Sequence, residues 1–270
     1  MKSETAYKLD RLKKSISSLK SAVVALSGGT DSSFLLTIAH DALGGRVIGV
    51  TVDTPFVSRE EIRGAAAIAE KSSIEHTVLR ADPLSSETIT ANNPERCYHC
   101  KKMIFTAIKE FAKWKSIDAV LDGSNYDDTG DFRPGAKALT ELGILSPLRD
   151  AGLSKDEIRL LAKNMGIETW DKPSSSCLAA RIPYGDRISV KALIMIEAAE
   201  EAIRKLGFSQ VRVRHHGTTA RIEVLSRDIS MAADELTRDA IVKELRNIGY
   251  TYVSLDLEGY RCGSMNESLD

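Results

Sequence analysis

At 270 residues, 43% hydrophobic and 28% charged, the chain can bury a sizeable core and stay soluble, which excludes disorder, collagen and a coiled coil as its main architecture. Its 37 basic and 38 acidic residues leave a net charge of −1, which weighs against nucleic acid as a large-footprint partner. No run approaches the roughly 18 apolar residues of a membrane span, and the polar start MKSETAYKLDRLKK is not a secretory signal, so a cytoplasmic chain of about two domains is expected.

Leu9, Leu12, Ile16 and Leu19 recur at three and four residues and predict a helix over 7–19. The apolar run Ala22–Leu26, stopped by Ser27-Gly28-Gly29, predicts a buried strand. A helix follows over 34–43, a strand over 46–52, an alanine-rich helix over 60–71 and a short strand over 77–79. Next come a helix over 101–114, a strand over 119–121 and a helix over 155–165 with Ile158, Leu161 and Ala162 on one face. Strands alternating with helices imply an α/β fold with a parallel sheet and right-handed crossovers. The stretch 171–185, rich in serine and proline, reads as a loop. Beyond it, a helix over 191–206, alternating strands over 211–214 and 220–225, a helix over 229–248 and a strand over 252–257 make a second, smaller α/β domain. The expected domains are therefore 1–185 and 186–270.

Ser27-Gly28-Gly29-Thr30-Asp31-Ser32-Ser33 lies between a strand and a helix. Two glycines allow close backbone approach, and the helix N-terminus behind them offers N–H groups and a positive dipole end, which together make an anion site. Ser27, Ser32 and Ser33 add hydroxyl donors. No Gly-Lys-Ser/Thr and no G-x-G-x-x-G follows, so the loop is neither the GTPase type nor a dinucleotide fingerprint. The plainer alternative is a glycine turn capped by Asp31 or Ser32.

Of four cysteines, Cys97 and Cys100 form a C-x-x-C around Tyr98-His99 just before a predicted helix, and Cys177 follows in Lys172-Pro173-Ser174-Ser175-Ser176-Cys177. A C-x-x-C alone fits redox, zinc or iron–sulfur chemistry. A structural zinc site needs a fourth ligand, which His99 or Cys262 can supply. Three thiolates without a fourth suit a 4Fe–4S cluster with one open iron. In the second domain Arg212 and Arg214 share one strand face, and Arg221 and Glu223 share a face of the next strand. Paired guanidiniums suit phosphate or carboxylate recognition.

The Ser-Gly-Gly-x-Asp-Ser loop resembles the PP-loop of ATP pyrophosphatases, which adenylate an oxygen of their substrate. Asp122-Gly123-Ser124-Asn125-Tyr126-Asp127-Asp128 resembles a later loop of those enzymes, and Pro147-Leu148 with Lys155-x-x-x-Arg159 resembles their basic helix. The resemblance implies that Ser27, Gly28, Gly29, Asp31, Ser32 and Ser33 bind ATP, with Asp31 and Asp128 on Mg²⁺. Lys155 and Arg159 would then neutralise pyrophosphate. Turn capping is the alternative for the two acids, and a solvated helix face for the two bases.

Over nearly its whole length the sequence resembles the LarE family of ATP-dependent sulfur transferases. The matching segments are Ser27–Ser33, Arg133-Pro134-Gly135, Ser176–Tyr184, Val211–His215, Ala220–Glu223 and the tail Gly259–Glu267. In that family ATP adenylates a carboxylate of pyridinium-3,5-biscarboxylic acid mononucleotide, sulfur replaces the activated oxygen, and AMP leaves. Members carrying a C-x-x-C plus a later cysteine are thought to hold a 4Fe–4S cluster, which here implies Cys97, Cys100 and Cys177. Cys177 is the direct sulfur donor in the absence of a cluster. The resemblance also implies that Arg212, Arg214 and Arg221 bind the small nucleotide substrate, that Arg181 orients the adenylate, and that the chain is a homo-oligomer, a hexamer in the family. The competing readings are a tRNA thiolase with a three-cysteine cluster, an ammonia-using synthetase and a zinc-stabilised nucleotide-binding protein without catalysis.

Overall fold

A computed structural model describes residues 2–130, 134–173, 176–261 and 264. In chain order its first elements are α1 (Lys2–Ser17), β1 (Ala22–Ala25), α2 (Thr30–Leu43), β2 (Val47–Asp53), α3 (Arg59–Lys71), β3 (Glu75–Arg80), α4 (Glu87–Thr90), α5 (Arg96–Trp114) and β4 (Ala119–Leu121). These are followed by α6 (Pro134–Glu141), α7 (Pro147–Asp150), α8 (Lys155–Asn164), α9 (Val190–Lys205), β5 (Val211–His216), β6 (Thr219–Val224), α10 (Ile229–Ala233), α11 (Glu235–Ile248) and β7 (Tyr252–Leu255). No helix among the described residues is long and apolar enough to cross a membrane.

The chain divides into two compact units, one of residues 1–82 and 97–175, the other of 83–96 and 176–270. The division falls at 175/176, where the serine–proline stretch had suggested 185/186, and 83–96 belongs to the second unit. The reason is hydrogen bonding between residues far apart in sequence. Asn92 Nδ2 donates to the carbonyls of Ile182 and Pro183, Gly185 N–H donates to Asn92 O, and Ile188 N–H to Thr90 O.

The first unit holds a parallel sheet in the order β3-β2-β1-β4. Its central strand β1 is apolar at every position because both sheet faces are covered. Val24 packs with Leu12, Phe34 and Ile158, while Val23 packs with Ile48 and Phe105 on the other side. Each such buried side chain contributes about 1.5–3 kcal/mol relative to exposure. The second unit holds a three-stranded sheet, β5 antiparallel to β6 and β6 parallel to β7. Val211, Val213, Ala220 and Ile222 pack with Ala199 and Ile203 of α9 and Leu245 of α11. Both units are α/β, as expected.

Two expectations are corrected. The single helix over 229–248 is two helices, broken at Asp234, whose ψ of 141° is extended. The C-x-x-C does not precede its helix but forms the first turn of α5, because nothing between Arg96 and Lys101 breaks a helix and the breaker, Pro94, stands before it.

Candidate active site

The strand order reverses between β1 and β4. In an open parallel sheet, the crevice at the carboxyl ends of such a pair is where ligands bind. The loops leaving those two ends are 26–29 and 122–125.

The first loop is held by its own serines. Ser27 N–H donates to Ser32 Oγ at 3.2 Å, the two hydroxyls lie 3.0 Å apart, and the buried Ser33 hydroxyl donates to Gly29 O at 2.7 Å. Ser32 and Ser33 thus use their hydroxyls on the loop itself. Gly28 has φ +74°, and a Cβ there would stand 3.0 Å from Glu61 O and 3.1 Å from Ala65 N, so glycine alone lets α3 approach. Gly29 is the N-cap of α2 and no side chain caps that helix. Its N-terminus therefore keeps the positive dipole end that suits an anion.

Asp31 lies in the first turn of α2. Its Oδ2 accepts Lys155 Nζ at 3.0 Å and Asn125 Nδ2 at 3.2 Å. Its Oδ1 is buried with no hydrogen-bond partner among the described residues. A half-satisfied carboxylate beside a phosphate loop suits a hard divalent cation with oxygen ligands. Lys155 opens α8, whose start is fixed by a Ser154–Glu157 capping box, and its own N–H donates to Asp127 Oδ2 at 2.8 Å. Asp31 and Lys155, expected at one site and 124 residues apart, are brought together.

The other expected residues of this unit lie nearby in different roles. Asp128 Oδ2 accepts the Asn125 N–H at 3.0 Å and shapes the second loop. Arg159, one turn beyond Lys155, donates from Nη2 to Lys172 O at 3.1 Å. Three residues without an assigned role also belong here. Asn125 bridges to Asp31. Buried Asp122 accepts the hydroxyls of Ser124 at 2.7 Å and Ser146 at 2.5 Å, with Lys101 Nζ at 4.0 Å. Lys172 Nζ donates to Gly28 O at 2.8 Å. The polar run 122–128 after an apolar strand marks the loop, but only tertiary packing decides which of its side chains turn inward.

Glu157 ties α8 to α1. Burial works to raise its pKa, but the Ser154 N–H, Lys8 Nζ at 2.9 Å and Thr5 Oγ1 at 2.8 Å outweigh it and bring the carboxyl down to about 2.

The second unit carries most of the remaining expected residues. Cys177 stands before a 3-10 turn, Leu178–Arg181, and is half-buried. Arg181 is 1% exposed; its Nε and Nη2 meet both oxygens of buried Glu200 at 2.8 and 3.1 Å, and Nη1 donates to Ser176 O and Cys177 O at 2.6 and 3.0 Å. Burial acts against the Glu200 charge, but Arg181 holds its pKa below the ordinary carboxylate range. Arg214 meets Glu223 through two hydrogen bonds and also donates to Ala180 O and Ser264 Oγ at 2.9 Å each. Arg212 donates to Val211 O and lies 5.3 Å from the Tyr260 ring. Burial, then the neighbouring Arg181, push its pKa down. Arg221 bonds Glu223 at 3.2 Å and stands 3.6 Å from Asp256. Register places Arg212 opposite Glu223 and Arg214 opposite Arg221, so all four share one sheet face. The expected pairs Arg212/Arg214 and Arg221/Glu223 are therefore side by side; Arg212, Arg214 and Glu223 are buried, Arg221 is partly exposed, and Arg214 and Arg221 both pair with Glu223.

In the first unit Cys97 and Cys100 are half-buried and one helical turn apart on α5. Arg96, the residue before them, belongs to the second unit and donates to Ala179 O at 3.1 Å. Among the described residues no three His, Cys, Asp or Glu are grouped so as to hold a metal ion. Cys262, Arg133, Ser174, Ser175 and most of the tail segment fall outside the described residues.

A family profile for NAD synthases matches residues 5–103, which span the phosphate loop. One subunit of a glutamine-hydrolyzing GMP synthase of Methanocella arvoryzae is 30% identical over 184 residues, covering 64% of this chain and 57% of that protein. An uncharacterized protein of Synechocystis is 37% identical over 262 residues, 97% of this chain and 98% of its own. A pyridinium-3,5-bisthiocarboxylic acid mononucleotide synthase of Lactiplantibacillus plantarum is 37% identical over 268 residues, 98% of this chain and 95% of its own. The chain belongs to the LarE family. It is accordingly a PP-loop, ATP-binding enzyme of sulfur transfer. The LarE likeness runs through both units, whereas the NAD synthase match ends near the start of α5.

Proposed function

We propose that the chain uses ATP to convert a carboxylate of pyridinium-3,5-biscarboxylic acid mononucleotide into a thiocarboxylate. The observation that carries this reading is Asp31, half-satisfied by Lys155 beside an uncapped phosphate loop, in a chain alike over nearly its full length to a bisthiocarboxylate synthase. A substrate carboxylate oxygen attacks the α-phosphorus, the bond from that phosphorus to the bridging oxygen breaks, and pyrophosphate leaves. Sulfur then attacks the acyl carbon, and AMP departs with the activated oxygen. Ser27, Gly28 and Gly29 wrap the phosphates, and Lys155 and Arg159 supply positive charge toward the departing pyrophosphate. Asp31, with Asp128 in the adjoining loop, would hold Mg²⁺, which supplies further neutralisation of phosphate charge.

Arg212, Arg214 and Arg221 are proposed to receive the substrate's phosphate and carboxylates. The support is their placement: Arg212, Arg214 and Arg221 share one sheet face, and grouped guanidiniums suit phosphate and carboxylate groups. Arg181 acts as a positioning residue, since it holds the carbonyl of Cys177.

Cys97, Cys100 and Cys177 are proposed to hold a 4Fe–4S cluster. The donor chemistry fits in kind, with two thiols one helical turn apart on α5 and a third just before the turn Leu178–Arg181. Three thiolates leave one iron open, and that position supplies a place for an additional sulfur. A cytoplasmic homo-oligomer completes the reading.

The test is AMP, pyrophosphate and thiocarboxylate formation from ATP and the dicarboxylate, read by mass spectrometry, beside iron and acid-labile sulfide in anaerobically purified protein. One AMP per thiocarboxylate is expected, with about four irons per chain, lost in Cys177→Ala. ATP cleavage with no sulfur in the product overturns the reaction. Absence of iron overturns the cluster and turns the donor role to Cys177, visible as loss of one H₂S from the protein mass.

A further inference from the structure

We propose that Lys172 is a phosphate-contacting residue of the nucleotide site, delivered onto the phosphate loop by the 3-10 turn Glu168–Asp171; this rests on the reading of loop 27–33 as an ATP site. Lys172 Nζ donates to Gly28 O at 2.8 Å, and no carboxylate lies within 4 Å of it among the described residues. Two further cations stand nearby. Lys155 is paired with Asp31, and Arg159 donates to the Lys172 carbonyl. Lys172 is thus a cation at the loop whose contact is a neutral carbonyl. An ammonium has three donors, so it can keep the Gly28 bond and still take a phosphate oxygen. A charge-assisted bond of that kind is roughly twice as strong as a neutral one.

The backbone that carries Lys172 is fixed at several points. Thr30 Oγ1, in the first turn of α2, donates to Thr169 O at 2.5 Å. Trp170 packs against the core of the unit, with Lys163 Nζ 4.4 Å from its ring centroid. Arg159 holds the carbonyl of Lys172 itself. The turn is therefore tied to α2 and α8, the two helices that also bring Asp31 and Lys155 together.

The unsatisfied atoms point the same way. Asp31 Oδ1, Thr169 Oγ1 and Arg159 Nε are buried without a hydrogen-bond partner among the described residues; Asp31 lies in the loop, Thr169 is bonded to Thr30 of the loop, and Arg159 to Lys172. Buried polar atoms are rarely left so in a native protein. A magnesium polyphosphate supplies what they lack, a cation for the carboxylate and acceptor oxygens for the donors. The ligand class is the β,γ-diphosphate of a nucleoside triphosphate, and inorganic pyrophosphate after adenylation.

Calorimetric titration of the full chain with Mg²⁺ and ATP, pyrophosphate or AMP, for wild type, Lys172→Met and Lys172→Arg, tests this. Lys172→Met is expected to weaken ATP and pyrophosphate on the order of tenfold or more while AMP changes less than about twofold. Lys172→Arg is expected to stay close to wild type for all three. Unchanged pyrophosphate binding in Lys172→Met, or equal weakening of AMP and pyrophosphate, overturns the assignment. Should Lys172→Met not fold, Lys172→Gln gives the same comparison, since it keeps a donor toward Gly28 without the charge; wild-type pyrophosphate affinity in that variant also overturns it. Wild type that binds neither ATP nor pyrophosphate overturns the ATP reading and the inference with it, and that failure is distinct because it needs no variant.

Discussion

Arg214 and Glu223 face each other through two parallel hydrogen bonds, Nε to Oε1 at 2.9 Å and Nη2 to Oε2 at 2.7 Å, with both side chains buried. Taking one partner away strands the other charge in the interior of the second unit. Glu223→Gln should therefore destabilise the protein by about 3–5 kcal/mol. The check is chemical denaturation of the single variant beside Glu223→Gln/Arg214→Met, in which a large part of the loss should be recovered.

Asp31 is exposed to a different argument, because its first oxygen is unpartnered and its second is shared between Lys155 and Asn125. Asp31→Asn keeps the shape and removes the charge that would hold Mg²⁺. AMP formation should fall by at least about 100-fold with little change in melting temperature, since catalytic electrostatics of this kind is worth several kcal/mol. A variant that still releases AMP at the wild-type rate would remove Asp31 from the site.

Gly28 tests the loop geometry. Its φ of +74° and the close approach of Glu61 O and Ala65 N leave no room for a side chain. Gly28→Ala should cost about 1–2 kcal/mol from backbone conformation alone, and more from the displaced helix α3. ATP affinity should drop along with the melting temperature, whereas Gly45→Ala, with open space around it, should change neither.

Glu157 gives a pH dependence with a definite sign. Its folded pKa is about 2, below the ordinary value of 4.5. Its contribution is thus fully present above pH 4.5 and is lost as the pH falls toward 2. The melting temperature of wild type should exceed that of Glu157→Gln at pH 7, and the gap should shrink between pH 4.5 and pH 2. A constant gap across that range would show that the hydrogen bonds to Lys8 and Thr5 do not depend on the charge.

The regular elements were readable because their signals are local. β4 is Ala119–Leu121 in the structure and in the apolar run alike, and α8 starts at Lys155 behind a capping box written in Ser154 and Glu157. The loop 27–33 stood out through its glycines between a strand and a helix, whereas Lys155 entered only through the resemblance of its helix to the basic helix of ATP pyrophosphatases. What sequence alone misplaced depends on long-range packing. The segment 83–96 carries no composition signal for its membership of the second unit, because that follows from Asn92 bonding to residues about 90 positions away. Arg212 and Arg214 alternate as surface arginines would, and only Glu200 on α9 and Glu223 on the next strand make them interior residues. Lys172 is one lysine in a serine–proline stretch until Gly28 O stands beside it.

The detour of residues 83–96 has a consequence for how the polypeptide is made and cut. The backbone passes between the two units three times, at 82/83, 96/97 and 175/176. A ribosome delivers Asn92 and Arg96 long before Ala179, Ile182 and Pro183, the groups they bond, have left the exit tunnel. The first unit is therefore synthesised with a piece of the second already spliced into its chain. A gene fragment ending at residue 175 leaves those side chains without the carbonyls they bond, and two separately expressed halves cannot reconstitute the molecule without that stretch of 14 residues changing owner.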